Sequence, residues 1–143
     1  MSVIVWDGKT LAADRRATNS NLSRTTSKIT KHGDLLIGST GTYSSSQAIT
    51  NWVIEGCILE KFPSSWVHED TNVWVINRNG TVAKFEDSPF PVMYRDKVFA
   101  EGSGRDLAYG ALAMGADAVK AVEVACVYDI YCGGGIDTLS FDE

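Results

Sequence analysis

The sequence predicts an α+β domain in which two antiparallel sheets pack face to face and helices lie outside them. Three observations predict it. Strand-like apolar runs come in pairs around turn signals, Asp7-Gly8 near the start and Asn79-Gly80 further on, and both dipeptides are strong hairpin formers. Helix-like stretches fall in two groups, one after residue 43 and one after residue 104, instead of alternating singly with strands. The chain has 143 residues, 44% apolar and 22% charged, which suits a single domain over 1–143.

Each element has a local reason. Val3-Ile4-Val5 is an apolar, partly β-branched start to a strand. A two-residue turn at Asp7-Gly8 pairs Trp6 with Lys9, runs Lys9–Ala13 back as a second strand, and sets Met1 and Ser2 opposite Asp14 and Ala13. Residues 17–27 are polar and read as a surface loop or irregular strand. Lys28–Lys31 and Leu35–Ser39 are strands around His32-Gly33-Asp34. Ser44 and Gln47 form a capping-box pattern for a helix running to about Lys61, stopped by Pro63. Asn72–Ile76 and Thr81–Phe85 flank the Asn-Gly turn, Ser88–Pro91 is an extended linker, and Val98–Ala100 is a strand. Arg105–Met114 is a helix ended by Gly115, Asp117 caps a second helix to Val127, and Ile136–Phe141 is the last strand. Trp52, Trp74, Cys57 and Cys126 fall on apolar faces and are expected in the core.

Composition narrows the function. A net charge of −5 with no basic run argues against a nucleic-acid surface. No apolar run approaches the roughly 18 residues of a membrane span, and no signal peptide precedes the first hairpin. Three cysteines give neither a disulfide framework nor a paired-thiol zinc pattern, which is the usage of a reducing cytoplasm. Gly133–Gly135 lacks the lysine of a phosphate loop. Asp129 and Asp137 have no histidine or second carboxylate nearby in sequence, so no metal is expected. His32 and His68 lie in polar, turn-like contexts.

A chemistry remains that needs no cofactor. An amino-terminal serine supplies a hydroxyl nucleophile, and its own α-amine, pKa about 7.7–8.0, takes the proton. A neighbouring lysine depresses that amine, a carboxylate holds the lysine, and a backbone N–H at a glycine binds the oxyanion. The chain offers Ser2 once Met1 is removed, with Asp14, Lys28 and Gly38.

These residues carry a resemblance. LAADRRA at 11–17, SKI at 27–29, IGSTG at 37–41, GSG at 102–104 and the D-x-x-C-G-G-G-I-D run at 129–137 resemble, in order, the motifs of proteasome β-subunits and HslV-type peptidases. Those are N-terminal-nucleophile hydrolases, and the chain is most similar to the short proteasome-like proteins of phages and bacteria. The resemblance implies a four-layer αββα sandwich. It implies Asp14 as the acid, Lys28 as the lysine, Gly38 as the oxyanion donor, and Ser103, Asp129 and Cys132 as supports of the terminal residue. Cys132 stands where the family has serine. The resemblance also implies a cytoplasmic homo-oligomeric ring, a peptide or protein substrate and an ATPase partner. The first hairpin is shorter than the family's. With a tight turn this leaves Ser2 about two residues, roughly 6–7 Å, short of the nucleophile's place. The alternative reading is a catalytically silent homologue serving as an assembly or interaction protein, which a retained Met1 would favour.

Overall fold

The computed structural model describes residues 2–142. Among them are two stacked antiparallel sheets with helices on both outer faces. The first sheet has strands β1 (Ile4–Trp6), β2 (Thr10–Asp14), β10 (Phe99–Glu101) and β11 (Ile136–Ser140), ordered β10-β1-β2-β11. The second has β5 (Ile29–His32), β6 (Leu35–Thr40), β7 (Asn72–Asn77), β8 (Val82–Phe85) and β9 (Val92–Tyr94), in chain order. A separate hairpin, β3 (Arg16–Asn19) and β4 (Leu22–Thr25), fills the stretch expected as a loop or irregular strand.

Strand alternation builds the layers. Val3 and Val5 face outward and pack with Ala108, Ala121, Val122 and Ala125 of helices α2 (Arg105–Ala113) and α3 (Ala118–Tyr128). Ile4 and Trp6, one residue out of phase, face inward with Leu11 and meet Ile29, Leu36, Trp74 and Ile76 of the second sheet. The far side of that sheet presents Ile37, Val73, Val75 and Phe85 to Ile49, Trp52 and Val53 of helix α1 (Tyr43–Ile54). Helices, sheet, sheet and helix are thus the four layers of an αββα sandwich.

Four local expectations are corrected. The first hairpin turns one residue later than expected. Asp7 N–H donates to Thr10 O at 3.2 Å, so the turn is Gly8-Lys9, and Trp6 pairs with Leu11 and Ile4 with Ala13. The Asp7 carboxylate accepts the N–H groups of Lys9 and Thr10 at 2.9 and 2.8 Å and holds the turn there. Its other oxygen accepts Ala118 N–H at 2.8 Å, which ties the loop to the start of α3. Helix α1 begins after Thr42, not at Ser44, and ends at Ile54, not near Lys61. Gly56 has φ 108°, and the N–H groups of Gly56 and Cys57 return to the carbonyls of Val53 and Trp52 in a Schellman stop. Two 3₁₀ turns follow, Leu59–Lys61 and Ser64–Trp66, and Cys57 is left exposed instead of in the core. Val92–Tyr94 adds an edge strand after the expected linker.

Candidate active site

The one-residue shift of the turn changes where Ser2 stands. Continuing the observed register sets Val3 beside Asp14, whose N–H donates to Val3 O at 3.2 Å. Ser2 therefore stands one residue beyond Asp14 rather than short of it, a displacement of about 6–7 Å along the strand from its tight-turn position. Ser2 is only 3% exposed. Gly102 holds it from the other side. A Cβ there would lie 2.1 Å from Ser2 O, and φ is 106°, so this close approach needs glycine. Gly104 N–H donates to Ser2 O at 3.1 Å, and Ser2 N–H donates to Ser103 Oγ at 3.0 Å.

Asp14 is the hub. It has no exposed surface. Its Oδ1 accepts Val3 N–H at 3.0 Å and Lys28 Nζ at 2.6 Å, and its Oδ2 accepts Gly133 N–H at 3.0 Å and Arg16 N–H at 3.3 Å. Lys28 and the backbone at Val3 share one oxygen, so the ammonium and the Val3 N–H converge on the same atom. Lys28 is itself nearly buried. Burial lowers its pKa below the usual lysine range, against the opposing pull of the Asp14 carboxylate. Lys28 and Ser2 line the same cleft, of about 360 Å³, with Arg16, Ser39–Thr42 and Asp70 on its other walls.

Behind Ser2 lies a relay. Ser103 Oγ accepts from Ser2 N–H, and its single proton is shared between Ser2 O at 3.4 Å and the Asp129 carboxylate. Asp129 accepts Tyr131 N–H at 2.9 Å and Cys132 Sγ–H at 3.4 Å. Burial would raise the Asp129 carboxyl, but hydrogen bonds from Ser103, Tyr131 and Cys132 outweigh it and hold the group below its usual value. Burial pushes the Cys132 thiol far up, reinforced by Asp14 and the bond to Asp129. Cys132 is therefore a neutral donor packed against Gly104.

Six of the seven residues singled out in the sequence come together: Ser2, Asp14, Lys28, Ser103, Asp129 and Cys132. Gly38 stands apart. Ser39 N–H donates to Lys28 O at 3.0 Å, so strand alternation aims Gly38 N–H the other way, toward β7. A Cβ on Gly38 would meet Ile4 at 3.1 Å and Ile29 at 3.3 Å, which places it in the inter-sheet core. The segment just past it, Ser39–Thr42, is what reaches the cleft. Arg16 of the Asp-Arg-Arg run, which the hairpin brings to the amino-terminal end, also lines the cleft, as does Asp70, which comes from a distant loop and has no local signal in the sequence. Among the described residues no group of three or more His, Cys, Asp or Glu side chains could hold a metal ion, and no helix is long and apolar enough to cross a membrane.

Two stacked sheets between helix layers, with Ser2 and Val3 buried beside a lysine–aspartate pair at one end, have the fold of the N-terminal-nucleophile hydrolases of proteasome and HslV type. Solved structures share it. The chain is similar to BPH from Thiobacillus denitrificans, with TM-score 0.74 and 16% identity over 97% of this chain and 96% of that one. It is similar to the same protein in complex with epoxomicin, with TM-score 0.71 and 17% identity over 97% of both chains. Eukaryotic HslV from Trypanosoma brucei matches with TM-score 0.66 and 18% identity over 96% of this chain and 97% of that one. At these identities the likeness is one of fold. No protein-family model and no curated protein sequence matches the chain.

Proposed function

We propose that the protein is a proteasome-like peptidase whose nucleophile is Ser2 after removal of Met1. The observation that carries this reading is the shared Asp14 oxygen, which holds Lys28 against the backbone at the chain start inside the cleft that Ser2 lines. Residue 1 lies outside the described residues. Loss of Met1 would turn the Ser2 N–H, now bonded to Ser103, into a free amine on the same partner.

The steps follow from that amine. It takes the Ser2 hydroxyl proton as Oγ attacks the substrate carbonyl, and the Lys28 ammonium keeps the amine from staying protonated and favours the developing oxyanion. The ammonium formed at Ser2 then protonates the leaving amine, which departs and leaves an ester on Ser2. A water molecule, deprotonated by the same amine, cleaves the ester and restores the hydroxyl. Because Gly38 N–H faces β7, the oxyanion donor is assigned to the Ser39–Thr42 segment, which ends at the amino terminus of α1 and its favourable dipole. Ser103, Asp129 and Cys132 hold the amine in place. The family resemblance adds a homo-oligomeric ring, an ATPase partner and a cytoplasmic setting to this reading.

Epoxomicin, found in complex with one structural neighbour, is the probe. Intact-mass measurement is expected to show a chain starting at Ser2 that gains one inhibitor mass. Ser2→Ala should gain none, and Lys28→Ala should label about 10²–10⁴ times more slowly. Equal labelling of wild type and Ser2→Ala would overturn the assignment. A homogeneous Met1 chain that never labels would favour the silent assembly protein instead.

A further inference from the structure

A second cavity is larger than the Ser2 cleft. It measures about 710 Å³ and opens where β9 and β10, the last strands of their sheets, face each other without a neighbour. Its floor is preassembled. Trp74 stacks with Phe99, ring centroids 3.9 Å apart, and with Tyr94, at 5.1 Å. The Trp74 indole N–H donates to Glu101 Oε2 at 3.2 Å, and Lys84 Nζ pairs with the same oxygen at 3.0 Å. Glu101 Oε1 accepts Gly102 N–H at 3.2 Å. The Glu101 carboxylate is thus fully engaged within the protein. At the mouth stand Tyr109, Asp96 and two exposed cations, Lys97 and Arg105. Arg105 also pairs with Asp106 at 3.8 Å, so the opening sets cations beside carboxylates over an aromatic floor, and Lys97 is the cation there with no ion pair to a described carboxylate within 4 Å.

We propose that this cavity is a second ligand site, separate from the Ser2 cleft, for a small organic anion that carries a flat apolar group. The ring faces of Tyr94 and Tyr109 suit the flat group, and Lys97 and Arg105 suit the anion. The volume is that of a small-molecule pocket, typically about 300–1,000 Å³. Occupancy is transmitted toward Ser2. Arg105 Nη1 donates to Gly102 O at 3.3 Å, Glu101 holds Gly102 N–H, and the next residue is Ser103, on which Ser2 N–H rests. An anion that draws Arg105 outward pulls on the loop that seats the chain start.

The probe is 1-anilinonaphthalene-8-sulfonate, an aromatic sulfonate, titrated into the full chain by fluorescence and by amide NMR. Saturable one-to-one binding is expected, with shifts at the Trp74 indole N–H and at Gly102 and Ser103. The exposed pair Lys97→Glu/Arg105→Glu, checked for folding by circular dichroism, should weaken binding about tenfold. Binding of the uncharged N-phenyl-1-naphthylamine should be the same in both proteins. Absence of saturable binding, unchanged affinity in the double variant, or shifts at Thr42 and Ser46 in place of Trp74 would overturn the site. Silence at Gly102 and Ser103 would overturn the coupling. None of these readouts uses hydrolysis, so they stand or fall separately from the Ser2 assignment.

Discussion

Asp14 has no contact with water, and it is satisfied by three backbone N–H groups and one ammonium. A buried charge so placed tolerates no loss of its partner. Asp14→Asn turns part of the acceptor into a donor facing other donors and strands the Lys28 charge. It should cost about 3–5 kcal/mol in urea unfolding. Lys28→Met should cost less, because Asp14 keeps its backbone donors. The same pair gives a pH dependence. Lys28 has a lowered pKa in the folded protein. Between that value and the ~10.4 of an unfolded lysine, the unfolded chain binds more protons, so stability from this group rises with pH. The stability difference between wild type and Lys28→Met should therefore climb as pH is raised through that window. The cysteines separate by environment in a similar way. Exposed Cys57 should react with a maleimide in the native protein, and buried Cys132 only on unfolding.

Among the elements, helix ends are where sequence and structure trade information most directly. Asp117 caps α3 by accepting Lys120 N–H at 2.9 Å, as the sequence predicts, and Asp117→Ala should cost about 1 kcal/mol. Gly56 stops α1 with a positive φ, and Gly56→Ala should cost about 1 kcal/mol. The sites lie on helices of opposite outer layers, so the double variant should show the sum in urea unfolding. The sequence pattern carries the helix through Gly56 to about Lys61, because the apolar residues beyond the glycine suggest a longer helix. Those residues serve the 3₁₀ turns instead, where Trp52 Nε1–H donates to Ile58 O at 2.8 Å. The first hairpin shows the opposite case. Asp7-Gly8 marks the turn region, yet the turn falls one residue later, at Gly8-Lys9, where the Asp7 carboxylate binds Thr10 N–H and the N–H of Ala118, more than a hundred residues away. A dipeptide rule has no access to that contact.

For the whole molecule, one surface bears on assembly. Val127, Tyr128, Ile130 and Tyr131 are exposed in one run at the end of α3, with Val127, Tyr128 and Ile130 each more than 70% exposed. Such a patch is typical of an interaction site, and it borders the Asp129 relay. Under the ring reading, sedimentation should give a mass that is a multiple of 15.5 kDa. Tyr128→Glu/Ile130→Glu should shift the protein to monomer while leaving its circular dichroism unchanged. A monomeric wild type would remove the ring from the proposal and leave the fold untouched.

The sequence by itself determined the layers, because strand alternation is a local property: Val3 and Val5 must face away from Ile4 and Trp6 whatever lies around them. It also determined which residue types stand ready for chemistry: five short motifs in order mark Asp14, Lys28, Gly38, Ser103, Asp129 and Cys132, and Ser2 is the serine that follows the initiator methionine. Only the tertiary structure decided the register that carries Ser2 past Asp14, the side to which Gly38 N–H points, and the exposure of Cys57. The first two are set by a partner remote in the chain and by the parity of a ladder, which no one segment contains; the third follows from the backbone stop at Gly56, where the positive φ prevails over the apolar pattern beyond it.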